Sequence, residues 1–294
     1  MKQAAVVWVV LVVGSVAMAQ ATPQPKTPPA QNPPAGQAAQ APPGSQAPRP
    51  PQAKTQPEYD AFNAANSAKD PAEIEKAAND FAAKFPDSEL RILLFKNATR
   101  AYQNANNADK MLDMARKSLA IDPDDGESLV DVAEVLTERT RDTDLDKDQR
   151  LDEARKSVDH ALQTIDTHYP MGVPADKLDA YKGLLRSSAY SIKGTLEYNK
   201  NDFKAAEDDF RKSIDAYPQA PDPITILRLS LALDKQEKYP EALTFANKAV
   251  ELTQEGTPQG TMARREQDRL AKLTGKPAGS TTTNPPQNSS APPK

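Results

Sequence analysis

The chain is 294 residues long, 38% hydrophobic, with 27 prolines, 11 glycines and no cysteine, which excludes disulfides and thiolate-held metals. Its net charge is −4, but the two ends carry Lys2, Lys26, Arg49, Lys54, Lys276 and Lys294 and no acid, which leaves the stretch between them at −10. So acidic a stretch lacks the basic face that nucleic acid or an anionic lipid surface requires, and neither is expected as a partner.

Residues 1–21 read as a secretory signal. Lys2 gives a positive start, Ala4 to Val13 an apolar run, and Ala17-Met18-Ala19 or Ala19-Gln20-Ala21 a small-residue cleavage site. The run is shorter than the roughly 20 residues a spanning helix needs, and no cysteine follows it to carry a lipid. The expectation is export, to the periplasm or outside the cell, with no membrane span left after cleavage. Residues 22–57 hold 12 prolines in 36 residues, the rest being largely Ala and Gln. Such a stretch buries too little apolar surface to offset its ordering entropy, so an extended, disordered spacer is expected. Residues 276–294, rich in Ser, Thr, Asn and Pro, are expected to form a disordered tail.

Residues 58–275 read as one helical domain. Runs of alternating β-branched residues are missing. Ala-rich amphipathic stretches predict helices over 58–68, 71–84, 88–105, 108–121, 126–141, 148–166, 175–199, 202–216, 222–236, 239–254 and 259–273. Asp70-Pro71 is an N-cap followed by proline in the first turn, and Pro221-Asp222-Pro223 is a similar start. Pro86, Pro123, Pro170 and Pro218 mark stops.

Paired helices at a period of about 34 residues are the repeat to look for. The clearest instance runs from Tyr190 through Gly194, Asn201-Asp202-Phe203, Ala206, Phe210 and Ser213 to Pro218. Gly194 and Ala206 are small where two helices of a hairpin cross, Tyr190 and Phe210 fill the space between hairpins, and Asn201-Asp202 makes the turn. Looser versions run from Phe95 to Pro123, from Leu129 to Leu162 with an insertion near 137–148, and from Ile226 to Val250. A degenerate first hairpin spans Glu58 to Pro86. These residues resemble the tetratricopeptide repeat family over about 200 residues. The resemblance implies an all-α fold: a right-handed superhelix of four to five stacked antiparallel helix pairs, an α-solenoid, with residues 259–273 as a charged capping helix. A single continuous apolar seam is expected to run through the stack.

The chain carries no phosphate-binding glycine loop and no nucleophile motif, so no catalytic residue, enzyme activity or cofactor is expected. The resemblance implies instead a scaffold that grips a peptide or partner protein in its concave groove. In that family the first helix of each pair lines the groove, which singles out Lys96, Arg100, Gln103 and Asn104, then Tyr198 and Asn199, then Arg228. One alternative lies in the acidic stretch Asp142, Asp144, Asp146, Asp148 and Glu153, whose spacing matches the ligand positions of an EF-hand calcium loop. It would make the protein a calcium-dependent structural or envelope component. Lys147, where that loop needs glycine, counts against it. His160 and His168 stand eight residues apart and are read as structural.

Overall fold

The computed structural model describes residues 50–169 and 174–275. The signal, the spacer as far as residue 49 and the tail lie outside the described residues, as does the stop at Pro170. Eleven helices are described, with no strand: α1 (Gln56–Ala65), α2 (Pro71–Lys84), α3 (Arg91–Asn104), α4 (Ala108–Leu119), α5 (Gly126–Arg139), α6 (Lys147–Thr164), α7 (Ala175–Asn199), α8 (Phe203–Ala216), α9 (Pro223–Asp234), α10 (Tyr239–Glu251) and α11 (Pro258–Thr274). Each answers to one of the predicted stretches, with ends shifted by up to three residues.

The starts are local chemistry. Thr55, Asp70, Asn107, Asp125, Asp202, Asp222 and Thr257 each turn a side-chain oxygen onto a first-turn backbone N–H of the helix they precede. That satisfies donors which a helix cannot satisfy by itself. The shifted ends have local causes too. Thr55 caps α1, so the helix begins at Gln56 rather than Glu58, and Lys54 is tied in by its Nζ to the Asp87 carbonyl at 2.7 Å. The folded part therefore takes in the last residues of the expected spacer. At α3 the Ser88 hydroxyl accepts from the Leu90 N–H at 3.1 Å, which holds 85–90 as a turn and delays the helix to Arg91.

The repeat is written in the backbone. Asn106, Asn201 and Glu237 have positive φ, of 54°, 64° and 61°. Each sits between the two helices of a pair: α3 and α4, α7 and α8, α9 and α10. At each, the next residue donates to a carbonyl five back: Asn107 to Tyr102, Asp202 to Glu197 and Lys238 to Leu233. Each left-handed residue itself donates three back, so all three turns are the same Schellman closure. Asn tolerates this conformation, whereas Glu237 has no local bond to offset it. Glu237→Gly is therefore expected to stabilise the protein by roughly 0.5–1 kcal/mol, read as a higher denaturant midpoint at unchanged m-value.

The helices pack in chain order. Each lies chiefly on the helix before and the helix after, within pairs and between them, and α5–α7, α7–α9 and α9–α11 also touch. That is the arrangement of an all-α repeat solenoid, in which no pair buries its apolar face alone. Alanines such as Ala98, Ala115, Ala133, Ala154, Ala161, Ala206, Ala232 and Ala242 are fully buried and allow close approach. Among the described residues no helix is long and apolar enough to cross a membrane.

The expected single seam is divided. One apolar cluster runs from Ala78 on α2 to Leu196 on α7, and two more occupy α8 to α11. Between them, part of the α7–α8 contact is made by small and polar groups. The Ser213 hydroxyl donates to the Ser187 carbonyl at 2.7 Å, and a Cβ on Gly183 would stand 2.7 Å from the Ala216 carbonyl oxygen. The sequence pattern marks both faces of α7 as helical but gives no sign that one of them is hydroxyl-rich where it meets α8.

Candidate functional site

Helices α3, α5, α7 and α9 are the first helices of successive pairs, and charged side chains of α3, α5 and α9 line one strip, with Tyr181 and Ser191 of α7 beside it. On α5 it consists of Glu127, Asp131, Glu134 and Glu138. At 100° per residue these positions fall within a narrow arc of the helix. That spacing alone makes the strip legible in the sequence.

At one end lies Lys96 of α3. Its Nζ donates to Asp125 Oδ1 at 2.7 Å and stands 2.9 Å from Glu127 Oε2, with 9% of the side chain exposed. Burial opposes the ammonium charge, yet the Glu127 and Asp125 carboxylates outweigh it and hold the pKa above that of an ordinary lysine. In return, and again against burial, Lys96 holds both carboxyls below their usual range, with Arg100 helping at Glu127. Asp125 also caps α5 by accepting from the Ser128 N–H at 2.9 Å. Arg100 donates to Glu127 Oε1 through Nη2 at 2.6 Å and through Nε at 3.0 Å. The Tyr181 phenol of α7 lies close enough to feel this cluster. Burial raises its pKa most and the acids add to that, against the pull of Lys96 and Arg100.

At the other end, the Arg228 guanidinium of α9 donates to the Glu138 carboxylate of α5. Asp222 caps α9, and Thr225 Oγ1 bonds both Asp222 Oδ2 at 2.8 Å and Ser191 Oγ of α7 at 2.7 Å. Asp131 and Glu134 lie between the two ends. Both are partly covered, and among the described residues neither has a hydrogen bond or ion pair. Burial and the charges of Glu127 and Glu134 push the Asp131 carboxyl well above the carboxylate range, with Lys96 opposing. Burial, then Glu138, push Glu134 up to about 7, with Arg228 opposing and Asp222 adding.

The structure sorts the predicted groove residues. Arg100 and Arg228 are on the strip, each already engaged by an acid of α5. Lys96 is buried, a counter-ion joining α3 to α5. Gln103 is half-buried in the last turn of α3, and Asn104 and Asn199 are exposed at helix ends. Tyr198 turns away into the apolar cluster of α8 to α11, its ring edge-on to Phe203 at 5.2 Å.

The acidic stretch after α5 does not gather. Asp142 pairs with Lys147 Nζ at 2.6 Å, and Asp144 accepts from the Arg141 N–H at 2.9 Å. Asp146 ends the loop, with Arg150 Nη1 3.9 Å away. Helix α6 then begins at Lys147, which carries Asp148 and Glu153 away along its axis, and Glu153 is held by Arg116 of α4 at 2.8 Å. Among the described residues no three carboxylates or imidazoles stand together as metal ligands. His160 and His168 reach Asp124 and Asp122, each at 2.7 Å, which ties the end of α6 to the turn before α5.

No protein-family model matches the chain, and no curated protein matches it significantly.

Proposed function

We propose that the chain is an exported, non-enzymatic scaffold of tetratricopeptide type that holds a peptide segment of a partner protein along the strip formed by α3, α5, α7 and α9. The three identical Schellman turns support the repeat reading, and the apolar run with its small-residue cleavage site supports export. The observation that carries the binding role is the pair Asp131 and Glu134. Their charged neighbours Lys96, Arg100, Asp125, Glu127, Arg228 and Glu138 are all paired, and these two are not. Partly buried carboxylates without a counter-ion cost stability. A lysine or arginine from a bound segment supplies the missing charge, so the partner segment is cationic. Acids at an interface of this kind select by complementarity and reject acidic sequences.

Titration calorimetry with the full chain tests this, using extended peptides of about ten residues that carry a central Lys-Arg and the same peptides with Glu-Glu instead. Basic peptides are expected to bind, acidic ones not, and Asp131→Asn is expected to weaken binding roughly tenfold, the equivalent of about 1.4 kcal/mol. Equal binding of both kinds, or no loss on Asp131→Asn, would sink the reading.

A further inference from the structure

Helices α5 and α9 are separated in the stack by α7, which touches both, and α9 packs chiefly on α8 and α10. One side chain nevertheless spans the gap. Arg228 of α9 reaches Glu138 of α5, 90 residues away in sequence. Glu134 lies one turn before Glu138 on the same face and feels the same guanidinium. The start of α9 is fixed separately, through the Ser191–Thr225 hydroxyl pair at 2.7 Å. Helix α9 is thus joined to α7 at its first turn and tied to α5 at its middle.

We propose that Arg228, Glu138 and Glu134 form a proton-sensitive clasp across the concave face, which sets how far α5 and α9 stand apart. The inference goes beyond the peptide-binding reading and needs no ligand.

The direction follows from the surroundings of Glu134. Burial disfavours its charge most. Glu138 on its own helix and Asp222 at the start of α9 repel it, and Arg228 alone attracts it, with the net effect of a pKa near 7. Asp131, one turn earlier, is a further acid on that face, repelled by Glu127 and Glu134. From α3, Lys96 and Arg100 are spent on Glu127, and from α7 Tyr181 faces that same cluster. A group that binds its proton more tightly in the closed arrangement than when hydrated favours that arrangement when protonated. Below neutrality Glu134 is neutral, Arg228 is left to Glu138, and the clasp stays closed. Above neutrality the Glu134 anion is crowded by Glu138 and Asp222, and parting α9 from α5 hydrates it.

The chain has no cysteine, so Arg139→Cys on α5 and Lys235→Cys at the end of α9 provide two unique spin-label sites. Pulsed distance measurement is made at about pH 6 and about pH 8, on either side of the Glu134 titration. The unsubstituted clasp is expected to give one short distance at the lower pH and a longer second population at the higher. Glu134→Gln keeps the short distance at both, and Arg228→Ala gives the longer population at both. An unchanged distribution across the two pH values, a Glu134→Gln protein that shifts as the unsubstituted clasp does, or an Arg228→Ala protein that stays short would each overturn the proposal. Failure here leaves the peptide reading standing, because no peptide is present.

Discussion

Lys96→Ala is expected to cost the fold about 3–5 kcal/mol, because it leaves the buried Asp125 without a counter-ion and Glu127 with Arg100 alone. For a core of this size the melting temperature should fall by on the order of 10 °C. The pH dependence fixes the cause. Asp125 and Glu127 have depressed carboxyl pKa values in the folded protein. Their pairing with Lys96 therefore stabilises above the ordinary carboxylate range and is lost as pH falls through the lowered values. The deficit of Lys96→Ala should accordingly be full at neutral pH and shrink on acidification below the ordinary carboxylate range, as both carboxyls protonate. A deficit unchanged by pH would mean that the lysine acts only through the packing of its methylenes. Thermal or denaturant unfolding of both proteins across that range decides it.

The second large effect lies where α7 crosses α8. Phe210 is fully buried, and a Cβ built on Gly194 would stand 2.7 Å from its Cδ1 and Cε1. The ring has nowhere to withdraw, since Leu229, Leu233, Ala242 and Leu243 share its cluster. Phe210→Ala is expected to destabilise by about 3–5 kcal/mol through the cavity it leaves. Gly194→Ala should cost about 1–3 kcal/mol through overpacking. The double substitution is expected to cost less than the sum, because removing the ring makes room for the methyl group. Strict additivity in denaturant unfolding would show that the two positions do not meet in solution.

These two sites differ in how far the sequence announces them. Gly194 and Phe210 stood out in advance, as a small residue and a ring at a fixed spacing within one helix pair, and they are in contact. Lys96 also stood out, as a cation of α3. The sequence shows a cation on the groove-facing side of α3. It does not show that Asp125, 29 residues on, turns the cap of α5 onto it. The acid stripe of α5 is plain in the spacing of Glu127, Asp131, Glu134 and Glu138, whereas the identity of its two unpaired members is not. That depends on which cations of α3 and α9 arrive, and where.

The sequence alone determined the helices. Caps, first-turn prolines and apolar periodicity act over three to five residues, so Asp70-Pro71 or Asp222-Pro223 starts a helix whatever surrounds it. It also determined the turns inside the pairs, where Asn106 and Asn201 accept a left-handed backbone on their own account. The tertiary structure alone decided the division of the apolar core at α7, the burial of Lys96 and the reach of Arg228 to Glu138. Each of these depends on the angle and distance at which successive pairs stack. Those are set by many side chains together, and no local run of residues records them.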